Sequence, residues 1–166
     1  NVNNITPSKL SIRLDIDTYD AITSFSVLSN ILLKLIGLLG LLLQVCIVSA
    51  NHSAVVRQRL ESAGLVDVMT HLYGNEQPGG KAEHIRQAMF SHGASAESTW
   101  MIGDTVGDIR AARQAGVNAV AVTWGWQSLE MLESARPNLI FEQPEALHRY
   151  FSGQPGASPQ SGPVSV

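Results

Sequence analysis

The chain has 166 residues, enough for one substantial core, and 45% of them are apolar while only 15% are charged. A formal net charge of −3, with Lys and Arg scattered rather than clustered, excludes a surface built to grip a nucleic-acid backbone. Cys46 is the single cysteine. It rules out an intrachain disulfide framework and, set in an apolar run, reads as a buried inert thiol in a cytoplasmic protein.

The chain opens at Asn1 without Met or a secretory signal, so residues upstream are expected. Leu10, Ile12 and Leu14 alternate with Ser11 and Arg13, the pattern of a short half-exposed strand or an irregular lead-in. Val27, Leu28, Ile31, Leu32 and Leu35 return at helical spacing behind Ser26, a candidate cap. The passage from Ile31 to Ala50 approaches the length of a membrane span, but Lys34 and Gln44 are costly at that depth, and Gly37 and Gly40 punctuate it. It reads instead as a helix, a glycine turn and a buried strand over Leu41 to Val48, and no membrane partner is expected.

Ser53 to Ala63 follows as a helix closed by Gly64, then Val66 to Tyr73 as a weak strand or short helix, and then a turn-rich loop from Gly74 to Gly80. Further along, Lys81 to Phe90 and Val106 to Gln114 are helical, the latter stopped by Gly116, and Thr99 to Ile102 and Ala119 to Thr123 are buried strands. A helix over Gln127 to Ser134, a short strand over Leu139 to Phe141 and a helix over Pro144 to Phe151 complete the order. Ser152 to Val166, rich in Ser, Gly and Pro, reads as a disordered tail. Alternating strands and helices imply an α/β fold, a Rossmann-like three-layer sandwich around a mainly parallel sheet.

The chemistry concentrates where strands end. Asp104 and Asp108 flank a strand-to-helix turn, and two carboxylates converging there suit a hard cation such as Mg²⁺, although each is also ordinary helix-capping chemistry. Ser49 follows another strand and Lys81 opens a helix after Gly79-Gly80. A hydroxyl, an ammonium and a carboxylate pair at one sheet edge would make a phosphate site. Lys81, with little to bury, is expected to present its charge without contributing to folding. His52, His71, His84, His92 and His148 have no metal-ligand spacing.

Ile47-Val48-Ser49-Ala50-Asn51, Gly79-Gly80-Lys81-Ala82-Glu83 and Gly103-Asp104-Thr105-Val106-Gly107-Asp108, followed by Ile109 to Val117 and by Val122-Thr123-Trp124-Gly125-Trp126, resemble the haloacid dehalogenase-like hydrolase superfamily, in its phosphoglycolate-phosphatase-like branch. The resemblance covers roughly residues 25 to 150. It implies a Mg²⁺-dependent phosphatase that acts on a small phosphorylated metabolite through an aspartyl-phosphate. By position, Ser49 would bind the phosphoryl group with Asn51 close by, Lys81 would offset charge, Asp104 would ligate Mg²⁺, and Asp108 would support the metal or Lys81. The implied organisation is a lead-in or cap remnant over residues 1–24, the core over 25–151 and the tail over 152–166, with the cap domain absent or only a remnant.

The family's first motif is a buried strand ending in Asp-x-Asp-Gly-Thr, whose first Asp is the nucleophile and whose second is the acid/base. Here Leu14-Asp15-Ile16-Asp17-Thr18 is the candidate; it lacks the Gly and follows an alternating strand containing Arg13. That pattern disfavours a central strand ending at Asp15. Tyr19 to Phe25 looks like the return from an inserted cap, which would place the first motif upstream of Asn1. The alternative to an enzyme is therefore an inactive fragment, or a non-catalytic interaction or oligomerisation protein on the same scaffold. A homo-oligomer is expected if the central strand is missing.

Overall fold

The computed structural model describes residues 10–14, 43–153 and 159–161. Its strands are β1 (Leu10–Leu14), β2 (Leu43–Val48), β3 (His71–Tyr73), β4 (Thr99–Gly103), β5 (Asn118–Val122), β6 (Leu139–Phe141) and β7 (Gln160–Ser161). The helices are α1 (Ser53–Ser62), α2 (Lys81–His92), α3 (Val106–Ala115), α4 (Leu129–Ser134) and α5 (Pro144–Phe151). Between α1 and β3, Val66–Val68 forms one 3₁₀ turn, so the weak segment divides into a turn and a short strand. The expected helix over Val27 to Ile36 lies outside the described residues.

The strands form one sheet in the order β3-β2-β1-β4-β5-β6-β7, parallel throughout except for β7. Strand periodicity then sorts the side chains. Met101, Ala119, Ala121 and Ile140 turn to one face and pack with Ile85 of α2, Ile109 and Ala112 of α3, and Leu132 of α4. Their neighbours Ile102, Val120, Val122 and Phe141 turn to the other face, against Leu147 of α5. On the β2–β3 half of the sheet Ile47 and Leu72 pack with Val56 and Leu60 of α1, while Cys46, Val48 and Tyr73 meet Ala88 of α2. Cys46 is fully buried, as its apolar run implies.

Two expectations are corrected. Leu10–Leu14 is the central strand, with Leu14 in register with Ile47 on one side and Ile102 on the other. The reason is backbone chemistry: β2 and β4 each present a row of N–H and C=O groups that must be paired, and a five-residue strand between them satisfies both rows whatever its side-chain pattern. An empty sheet centre, the condition for the expected oligomer, is therefore not met. In the tail, Gln160–Ser161 pairs antiparallel with Leu139–Ile140 of β6. An open strand edge recruits backbone, and polar residues supply backbone as well as apolar ones do.

Helix α3 lies on the sheet through small residues. Ala111, Ala112 and Ala115 share one cluster with Ala119 and Ala121 of β5, and Ala112 is fully buried. Leucine at position 112 has no void to enter, so Ala112→Leu is expected to cost about 2–3 kcal/mol. A shift in the urea midpoint at unchanged m-value checks this, and an unchanged midpoint would contradict the close approach.

Candidate active site

Parallel strands end at a common edge, and that edge collects the polar residues picked out above. At the end of β2, Ser49 is 3% exposed; its N–H donates to the Tyr73 carbonyl at 2.9 Å and its Oγ accepts from the Asn51 N–H at 3.0 Å. The Asn51 carbonyl in turn accepts from Asn75 N–H at 3.1 Å, which ties the segment after β2 to the loop after β3. Glu76 in that loop accepts from the Ser53 N–H at 3.0 Å, at the N-terminus of α1. Hydrogen bonds from Ser53, side chain and then backbone, pull the Glu76 carboxyl from 4.5 down to about 2.

Lys81 begins α2 and reaches across to α3. Its Nζ donates to Asp108 Oδ1 at 2.8 Å. The other Asp108 oxygen, Oδ2, accepts from the Thr105 N–H at 3.0 Å and the Thr105 hydroxyl at 2.7 Å, while Thr105 Oγ1 accepts from the Asp108 N–H at 3.2 Å. This reciprocal capping box starts α3. Asp108 is fully buried, so Lys81 is the cation that answers its charge. A Cβ on Gly103 would run into the Asp108 side chain, which is why a glycine closes β4. The expectation that Lys81 has little to bury is overturned: its side chain is 23% exposed and paired with a carboxylate that is not exposed at all.

His84 helps hold the lysine's loop in place. It is buried one turn along α2, with Nε2 3.1 Å from the Pro78 carbonyl and its ring stacked on Tyr73 at 5.2 Å. Tyr73 is also the residue whose carbonyl receives Ser49 N–H, so the serine and lysine segments lean on one aromatic pair.

Asp104, 8% exposed, is held differently. Its Oδ2 accepts from Trp126 N–H at 2.7 Å and its carbonyl from Gln127 N–H at 3.3 Å. Gln127 Oε1 also accepts from Val106 N–H at 2.6 Å, satisfying a donor of the first turn of α3. Gly125 is required as well, since a Cβ there would collide with the Asp104 carboxylate. Hard oxygen donors at this position fit Mg²⁺. Among the described residues no three His, Cys, Asp or Glu side chains gather as a complete metal cage. Asp15 and Asp17, which follow Leu14 in sequence, lie outside the described residues.

Residues 16–122 match the family model described as haloacid dehalogenase-like hydrolase. The chain belongs to this family. The haloacid dehalogenase-like chain is 35% identical over 92 residues to the probable phosphatase IndB of Dickeya dadantii, covering 54% of this chain and 40% of that protein. It is 30% identical over 101 residues to a phosphoglycolate phosphatase of Synechococcus elongatus, covering 61% and 48%. It thus spans about half the length of the curated relatives it matches. A solved haloacid dehalogenase-like hydrolase of Streptococcus pneumoniae shares the fold, with a TM-score of 0.71 at 18% identity over 88% of this chain and 100% of that one. No helix among the described residues is long and apolar enough to cross a membrane.

The side-chain types of Ser49, Lys81, Asp104 and Asp108 were readable from sequence, whereas Thr105, Gln127 and the Trp126 amide were not. A backbone N–H has no residue signature, and Gln127 acts across a loop with no periodic pattern.

Lys81→Ala leaves the Asp108 carboxylate buried with only Thr105 to answer it, and is expected to destabilise the fold by about 3 kcal/mol. The melting temperature should drop by roughly 6–12 °C, and Lys81→Ala/Asp108→Asn should recover part of that loss. A drop below 1 °C for the single variant would contradict a buried pair.

Glu76 makes a second expectation. Its folded pKa is depressed, so its contribution is present above pH 4.5 and is lost as pH falls toward about 2. In thermal melts across that window Glu76→Gln should flatten the acid limb, and an unchanged slope would exclude the Ser53 contact as its source.

Proposed function

We propose that this chain carries the catalytic core of a Mg²⁺-dependent phosphatase acting on a small phosphate monoester through an aspartyl-phosphate. The observation that supports the reading most is the arrangement of one sheet edge. A lysine ammonium 2.8 Å from a fully buried aspartate shares that edge with Ser49 and Asp104, and the central strand ends one residue before Asp15 in the sequence. Phosphoglycolate is the first substrate to try, because a relative carries that name.

In this reading a carboxylate oxygen of Asp15 attacks phosphorus, the bond to the leaving group breaks, and Asp17 gives its proton to the departing oxygen. Water then attacks the phosphorus of the aspartyl-phosphate, Asp17 takes the proton, and the Asp15 carboxylate and inorganic phosphate separate. Ser49 and Asn51 bind the phosphoryl oxygens. Lys81 offsets their charge, held in place by Asp108, whose two oxygens are engaged by Lys81 and Thr105. Asp104, with Asp108 behind Lys81, would hold Mg²⁺, which when bound supplies positive charge against the repulsion between phosphate and carboxylates.

The test is hydrolysis of p-nitrophenyl phosphate and phosphoglycolate with and without Mg²⁺. Turnover should require the metal, disappear in Asp15→Asn with the fold intact, and need about tenfold more Mg²⁺ in Asp104→Asn. Absence of turnover in the wild-type chain, or turnover surviving Asp15→Asn, would overturn the reading in favour of a non-catalytic scaffold.

A further inference from the structure

Trp126 is 69% exposed although its own backbone is among the most firmly held in the site. Its N–H lies 2.7 Å from Asp104 Oδ2, and an N–Cα bond of about 1.5 Å then places its Cα no more than roughly 4.2 Å from that oxygen. The residues on either side are fixed. Gly125 abuts the Asp104 carboxylate, and Gln127 donates to the Asp104 carbonyl while accepting from Val106 N–H. Trp124, two residues earlier, packs against the cluster of Val120, Val122 and Phe141. One indole is thus spent on the core and the other left on a rigid loop at the rim of the candidate site.

We propose that Trp126 contacts the leaving group of the substrate and favours monoesters whose leaving group has a planar, apolar face. The inference rests on the phosphatase reading and narrows its substrate class, away from phosphoglycolate, whose leaving group is small and charged, and toward aromatic monoesters. An indole has no charge to offer a phosphoryl group, but it covers a large apolar area and stacks on flat groups. Because the loop is already ordered, little freedom remains to be lost when a ligand packs on it. Asp104 and Lys81 face the phosphate, which is common to every monoester; Trp126 sits where monoesters differ.

The test uses two unreactive phosphonates, phenylphosphonate and methylphosphonate, titrated by calorimetry into the Mg²⁺-loaded chain. Phenylphosphonate is expected to bind about tenfold more tightly, consistent with the worth of an aromatic stack. Trp126→Ala should abolish that difference and leave methylphosphonate affinity unchanged, while Trp126→Phe retains most of the preference. Equal affinities in the wild type, or a parallel loss of both ligands in Trp126→Ala, would overturn the proposal, the latter assigning Trp126 to positioning Asp104. If neither phosphonate binds the wild-type chain, the phosphate site itself fails, and the proposal with it.

Discussion

A carboxylate with no exposure to water is the constraint around which this molecule is arranged. Asp108 must be answered by charge and hydrogen bonds, because a buried carboxylate without partners is costly. The answers come from three elements: Lys81 at the start of α2, Thr105 at the start of α3, and the space that Gly103 leaves at the end of β4. One buried charge therefore fixes two helices and a strand relative to one another. The same contacts leave the lysine with a defined position instead of a mobile surface charge.

Asp104 is fixed by other means, through the backbone of the loop after β5. Two of its oxygens take N–H donors from Trp126 and Gln127, and the loop's glycine makes the approach possible. The two aspartates of one short motif are thus not equivalent. One is engaged by a lysine ammonium and by Thr105, while the other accepts from backbone amides. This difference follows from partner chemistry, and the spacing of the two residues does not reveal it.

Much of the fold was readable because it depends on local pattern. The apolar run at Thr99, the helical pattern from Val106 and the stop at Gly116 yield β4 and α3 within a residue of expectation. The misplaced pieces depend on long-range pairing. Nothing in Leu10–Leu14 announces that two distant strands need its backbone, and nothing in Gln160–Ser161 announces the open edge of β6. The site divides the same way: side-chain donors were visible by type, but the burial of Asp108, the engagement of Lys81 and the amide contacts of Asp104 exist only once the chain is folded.

The position of β1 also bears on how the chain reaches this state. β4, β5 and β6 are joined by short connections through α3 and α4, whereas β1 meets its partner β4 only when Leu14 and Ile102 come together, a closure spanning more than half the chain. Loop-closure entropy grows with such separations and slows the non-local step. The half that holds Asp104 and Asp108 can therefore assemble around its local contacts first. The middle of the sheet, and with it the strand that precedes Asp15 in sequence, depends on the non-local pairing of Leu14 with Ile102.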